Sequence, residues 1–177
     1  ATGICTIVIP TISNVLAVLP IPKINEGTLS IDPICKGFAA AVEISGTTNL
    51  TDGDYSIIFN LFGSNTATAE QAALKVTNGV GNFSIRPSLI PNAGNTTLSI
   101  TKITNVATSC SNTSSLTKVF VIKALPDVTN FAVAIKDVCA NQPLLVSLSG
   151  LGTITTITLN YDLIGANVAS NQIVTIP

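Results

Sequence analysis

The sequence predicts an all-β chain made of repeated two-sheet sandwiches. Three observations predict it. Hydrophobic residues make up 46% of the 177 positions and charged residues only 10%, against a usual quarter or so charged. The apolar residues fall in short runs rich in Ile, Val and Thr, which is strand composition. The chain also repeats itself, with Gly, Pro and Asn at matching places between the runs.

The repeat is read by overlaying two segments. "PKINEGTLSIDPICKGFAAAVEISG" lies over "PDVTNFAVAIKDVCANQPLLVSLSG". Pro22 falls on Pro126, Cys35 on Cys139 and Gly46 on Gly150, each displaced by 104 positions. Beyond Gly46 the displacement is 102, and "FNLFGSN" (59–65) falls on "YDLIGAN" (161–167). "ATGIC" lies over "ATSC", which takes Cys5 to Cys110 at a displacement of 105. The period matches one small β-domain. Ala1–Leu19 then reads as the last strand of a preceding unit. Residues 20–124 form one complete unit, and residues 125–177 form the front half of a following one. "VLPIP" and "KALP" are the joints, stiffened by prolines that favour extended backbone.

Within the complete unit the strands follow in order. Thr28–Ile31 is the first. Ala40–Ser45 is the second, stopped by Gly46. Tyr55–Phe62 is the third, stopped by Gly63. Ala72–Thr77 is the fourth, and Asn78-Gly79 is a hairpin turn signal. "TATAEQAALK" has helical composition, but its counterpart "VASNQIVTI" is β-branched, so a strand is predicted. Asn82–Ile85 is the fifth strand, ended by Pro87. "IPNAGN" (90–95) is a loop. Thr97–Thr104 is the sixth, with Leu98 and Ile100 alternating against Thr97, Ser99 and Thr101. Leu116–Lys123 is the seventh. Seven short strands in about 105 residues read as an immunoglobulin-like sandwich. Phe59, Phe83 and Tyr161 fall at core-type positions, and Gly63 and Gly165 at turns.

Charge and patterning bound the function. Net charge is −1, and the seven Lys and Arg86 form no cluster. Nucleic-acid binding and a polybasic membrane patch both need one. No apolar run approaches the roughly 18 residues of a spanning helix, so no membrane insertion is predicted. The missing initiator Met reads as a fragment or a processed chain, and no signal peptide is visible.

Four cysteines occupy two repeated positions, and disulfides belong to oxidising compartments. Cys35 with Cys110 would close a loop worth about 4.5 kcal/mol by chain entropy. Cys5–Cys35 with Cys110–Cys139 is the alternative and would weld neighbours. In an immunoglobulin-like topology Cys35 precedes the second strand and Cys110 follows the sixth. Those points lie at opposite ends, beyond the ~7 Å reach of a disulfide, which leaves unpaired thiols as the third possibility.

No catalytic constellation is predicted, and the chain is read as a non-enzyme. There is no His to serve a nucleophile. Ser115 and Lys118 have the S-x-x-K spacing, but residues three apart on a strand face opposite ways. The acids form no facing pair in a cleft. "NLTDGDY" offers Asp52 and Asp54 as calcium candidates, yet two carboxylates fall short of six to eight ligands. An Asp-Gly turn is the preferred account of them. The matching "LGTITTIT" lacks acids, so no cofactor is predicted, with calcium as the alternative. Asn49, Asn82, Asn95 and Asn112 each begin an N-x-S/T string.

The pattern carried by Cys35, Gly46, Asp52–Tyr55, Gly63, Asn65, Ile90–Gly94, Ile100–Asn105 and Cys110 resembles a known family. It is similar to the tandem immunoglobulin-like repeats of giant cell-surface adhesins of Bacteroidota, of the SprB-type gliding adhesin class. The resemblance spans essentially the whole chain. It implies export by type IX secretion, display as surface filaments and no catalytic residues. The expected function is a structural stalk of a secreted adhesin for attachment or gliding motility, extracellular, with neighbouring repeats as partners. An alternative is a self-assembling filament subunit, in which Ala1–Leu19 of one copy completes the open half at 125–177 of another. A carbohydrate-binding module is the third reading. It would need exposed aromatic platforms, and aromatics are only 5%.

Overall fold

Proline and glycine set where the strands break, and hydrophobic alternation sets which way they face. The computed structural model describes residues 16–46, 49–152, 154 and 156–176. The chain divides into two compact units, Ala1–Ala124 and Leu125–Pro177.

Unit 1 contains β1 (Thr28–Ser30), β2 (Ile34–Cys35), β3 (Ala40–Ser45), β4 (Gly53–Gly63), β5 (Ala67–Thr77), β6 (Val80–Ile85), β7 (Gly94–Asn105) and β8 (Ser111–Lys123). One 3-10 turn, Pro87–Leu89, joins β6 to the loop before β7. All eight strands belong to one curled sheet in the order β1-β3-β6-β5-β4-β7-β8-β2. β1 also packs against β8, so the ends of the sheet approach each other. Pro33 explains why β1 and β2 are separate. It has no N–H for a ladder, and past it the chain leaves β3 for β8. β1 pairs antiparallel with β3, whereas β2 pairs parallel with β8, Ile34 opposite Ile122 and Cys35 opposite Lys123.

The core is the inward face of this sheet. Ala40, Val42 and Ile44 supply it from β3, and Tyr55, Ile57, Phe59 and Leu61 from β4. Leu98, Ile100 and Ile103 supply it from β7, and Phe120 and Ile122 from β8. Phe59 and Phe83 meet with ring centroids 6.0 Å apart, within the range where tilted aromatic pairs attract. The alternation predicted for β7 breaks at Thr101. A register shift between Ile100 and Lys102 turns the strand, and Ile103 rather than Lys102 faces the core.

β5 is a strand, as predicted, but it begins at Ala67 rather than Ala72. The first part is hidden in the sequence by a bulge opposite Phe59–Leu61. There Ala69 adopts φ +56 and donates its N–H to Asn60 Oδ1 at 2.8 Å. Asn78 and Gly79 both have positive φ (52 and 75), the two-residue turn that matches strand twist.

The pairings give unit 1 two poles. Thr28, Ser45, Gly53, Thr77–Val80 and the β7–β8 turn lie at one, the proximal pole. Cys35, Ala40, Gly63–Ala67, Gly94 and Lys123 lie at the other, the distal pole. Because β2 runs parallel to β8, the chain arrives at the proximal pole and leaves at the distal one. Asn25 marks the arrival, accepting the Ser115 N–H near the start of β8 at 3.1 Å. β8 has 13 residues, so the poles stand about 40 Å apart at the ~3.3 Å rise of a strand.

Unit 2 consists of β9 (Ala132–Ile135) paired with β10 (Val146–Ser149), and β11 (Ile157–Leu163) paired with β12 (Ala169–Ile176). Many of its apolar residues are exposed. Val133, Ile135, Ile173 and Val174 are exposed, and so is Tyr161 at 44%. The prediction of a core position for Tyr161 is therefore corrected. Phe59 is covered on its inward face by β6–β8, and no corresponding strands lie over Tyr161 among the described residues. Of the predicted last strand in Ala1–Leu19, residues 1–15 lie outside the described residues, and Leu16–Leu19 form no strand.

Candidate functional site

A buried polar cluster joins two loops at the distal pole. Gly63 ends β4 with φ +97, and a Cβ there would stand 2.6 Å from the Asn95 carbonyl oxygen. Only glycine fits both the conformation and the approach. The turn brings Asn65 inside, 2% exposed. Its Nδ2 donates to Asn92 O at 2.9 Å and to Thr96 Oγ1 at 2.8 Å. Its Oδ1 accepts the Asn92 N–H at 2.9 Å. The buried amide thus uses both donors and one acceptor site. Asn92 Nδ2 in turn donates to Ser64 O at 3.2 Å, and Ser64 N–H donates to Asn95 O at 3.0 Å. The "GSN" and "PNAGN" stretches are thereby locked together. These bonds hold the two loops against each other.

At the proximal pole the acidic run is occupied by turn chemistry. Asp52 Oδ1 accepts the Gly79 N–H at 3.4 Å. Asp54 lies opposite Lys75, with Oδ1 to Nζ 3.7 Å and both side chains largely exposed. The buried Tyr55 donates its hydroxyl to Thr51 O at 3.0 Å. Among the described residues no three His, Cys, Asp or Glu side chains converge as a metal group would require.

The cysteines separate by pole. Cys35 and Cys139 are exposed, Cys110 is half-buried, and all three are free thiols. Cys35 sits opposite Lys123 at the distal end of β8, and Cys110 directly precedes Ser111 at the proximal end. About 40 Å of strand separates them, so the predicted Cys35–Cys110 bond is not made. Cys5, half of the alternative pairing, lies outside the described residues.

Ser115 and Lys118 are both exposed on β8 and face opposite sides of the strand. An open depression of about 340 Å³ lies where β5 diverges from β6, lined by Phe59, Ala72, Ser84, Arg86 and Leu89 among others. Its one cation, Arg86, is held by Glu70 at 2.6 Å, and its hydroxyl, Ser84, has no base among the lining residues. Phe38 (64% exposed) and Phe62 (51%) are open aromatic rings that the sequence reading did not weigh. Of the sequon asparagines, Asn82 and Asn95 are exposed. Asn49 instead ties down the incoming chain, accepting from Lys23 N–H at 2.9 Å and donating to Ile21 O at 3.1 Å.

Sequence reasoning found the cysteine positions, the acidic run and the Gly63 turn. It missed that Asn65 is a buried clamp. The available signal was the recurrence of Asn at Asn167, next to a turn glycine in both copies. Comparisons with protein-family models, with curated proteins and with solved structures found no match to this chain.

Proposed function

We propose that the chain is a non-catalytic stretch of tandem immunoglobulin-like repeats from a long secreted cell-surface adhesin, the kind of protein its sequence resembles. Its role is that of a stalk presenting adhesive regions for attachment or gliding, with neighbouring repeats as its partners. The observation that carries this reading is the arrival and departure of the chain at opposite poles of unit 1. A domain threaded that way carries a pull from one of its ends to the other, which is what a stalk requires.

Two further observations support it. The order β1-β3-β6-β5 beside β4-β7-β8-β2 corresponds to the ABED and CFG sheets of an immunoglobulin-like sandwich, with part of the first strand added to the last. The ladders also recur at the sequence displacement. Leu29 faces Ile44, and 104 positions on Val133 faces Leu148. Ile57 faces Ala72, and 102 positions on Leu159 faces Val174. Even the bulge returns. Ala69 N–H bonds Asn60 Oδ1 with φ +56, and Asn171 N–H bonds Asp162 Oδ1 with φ +54.

The threading suits a load-bearing element. Tension applied at the two poles pulls the parallel strands β2 and β8 in opposite directions. Their hydrogen bonds, with Lys36 N–H to Lys123 O at 2.8 Å, are then sheared together rather than opened one by one.

A second reading, a filament subunit completed by another chain, is favoured by the open apolar residues of unit 2, since uncovered strands are templates for pairing. One measurement separates the two. The native polypeptide is recovered from the cell surface and its mass read in strong denaturant. A giant chain supports the stalk; discrete subunits near 18.2 kDa overturn it in favour of the filament.

A further inference from the structure

The sequence holds one Asn-Gly pair, Asn78-Gly79, and one Asp-Gly pair, Asp52-Gly53. The fold brings the two together at the proximal pole. Asn78-Gly79 is the turn between β5 and β6, and Gly53 opens β4 opposite Val76. Asp52 Oδ1 accepts the Gly79 N–H at 3.4 Å. Such pairs share one chemistry. The side-chain carbonyl carbon is one ring closure away from the next residue's backbone nitrogen, and a following glycine puts no Cβ in the way. A Cβ built at Gly53 or Gly79 would meet nothing within 4 Å, so neighbouring atoms do not close the approach either. Asp52, Gly53 and Asn78 are exposed and Gly79 is half-buried, so water reaches both pairs.

We infer that Asn78 and Asp52 are sites of spontaneous succinimide formation, and that the contact between Asp52 and Gly79 holds both back. At Asn78 the Gly79 nitrogen loses its proton and attacks Asn78 Cγ. A C–N bond forms, the Cγ–Nδ2 bond breaks, and ammonia leaves with that proton. Water then opens the ring at either carbonyl, leaving aspartate or isoaspartate in place of Asn78. At Asp52 the Gly53 nitrogen attacks Cγ and water leaves. Water returns on ring opening, so the net change there is isomerisation. The contact restrains each reaction through a different atom. For Asn78 it engages the nucleophile, because removing the Gly79 proton would set a second negative charge beside the Asp52 carboxylate. For Asp52 it engages the carboxyl. While Oδ1 is held at Gly79, Cγ is kept from the near-attack position at the Gly53 nitrogen. The consequence is local. β5 and β6 pair through Lys75 with Asn82, Val76 with Gly81 and Thr77 with Val80. Isoaspartate adds a methylene to the backbone of the turn that closes this short ladder.

The test follows the 177-residue chain through a long incubation at neutral pH, by peptide mapping with isoaspartate detection. Cleavage after Lys75 puts the two sites on separate tryptic peptides. Conversion at Asn78 and at Asp52 should be slow in the folded chain. It should be severalfold faster in strong urea, where the contact is lost without any substitution. Asp52→Ala, with its fold checked by the urea midpoint, should speed conversion of Asn78 severalfold in the folded chain and leave the rate in urea unchanged. Equal Asn78 rates in the two folded chains would overturn the restraint, and so would a rate in the original chain that urea does not raise. No conversion at Asn78 under any of these conditions would overturn the site itself.

Discussion

Asn65 Nδ2 donates to Thr96 Oγ1 at 2.8 Å, between two buried side chains 31 positions apart. This bond ties the turn after β4 to the first residues of β7, and the adjoining Asn92 contacts extend it. Replacing Asn65→Ala removes three hydrogen bonds at once and leaves the buried Thr96 hydroxyl without its donor, an orphan that costs about 1–3 kcal/mol, with the two lost Asn92 bonds adding about 1 kcal/mol. The expected loss is about 3 kcal/mol of unit 1 stability, read from the midpoint shift in urea unfolding. An unchanged midpoint would show that the clamp is dispensable.

Gly63 and Gly165 separate backbone strain from crowding. Both have positive φ (97 and 106), but a Cβ at Gly63 meets Asn95 O whereas one at Gly165 meets nothing within 4 Å. Gly165→Ala should cost about 1 kcal/mol, the penalty of the left-handed conformation alone. Gly63→Ala should cost clearly more. Equal effects in thermal melts of the two variants would contradict the close approach.

Core placement predicts a similar contrast for aromatics. Phe59→Ala removes a fully buried ring and should cost about 3–5 kcal/mol. Tyr161→Ala, at the equivalent repeat position but 44% exposed, should cost less than half as much. Denaturant titrations of the two single variants measure the difference. Equal losses would mean that Tyr161 is covered in solution.

The Arg86–Glu70 pair is short at 2.6 Å, yet the arginine is 60% exposed. A double-mutant cycle should give a coupling of about 0.2–1 kcal/mol, falling as salt is added. A larger, salt-independent coupling would place the pair in a drier site than its exposure implies.

The Asp127 carboxyl is held below its ordinary value of 3.8. The Thr129 hydroxyl is the leading cause and the Thr129 N–H the second. A depressed folded value means that the charged form is the bonded one. The local turn is therefore intact above pH 3.8 and loosens as pH falls through the lowered value. NMR titration of the Thr129 amide should follow that transition, and Thr129→Val should move the Asp127 midpoint upward. An unmoved midpoint would remove the hydroxyl as a cause.

Residue chemistry explains how much of this was legible. β3 was readable to the residue because Gly46 stops it and Ala40, Val42 and Ile44 alternate cleanly. The Asn78-Gly79 turn was readable because few residues accept two successive positive φ values. β2 was not, since two residues after a proline carry no period. The switch of β7 at Thr101 was hidden because a bulge moves the phase without altering composition. The polar cluster was only half visible. Gly63 announces a turn, but nothing local to Asn65 says that its partners lie at Asn92 and Thr96. The separation of Cys35 and Cys110 follows from strand topology, as the expected sandwich order already implied.

The polar threading of unit 1 has a consequence for length under load. From Pro20 to Ala124 the chain runs about 105 residues yet advances about 40 Å between poles. Fully drawn out, the same residues reach about 350 Å. Each folded unit is thus a coiled reserve of roughly 300 Å, released only when its ladder gives way. A tether of such units would lengthen in discrete steps, dissipating a sudden pull that would otherwise reach its attachment point.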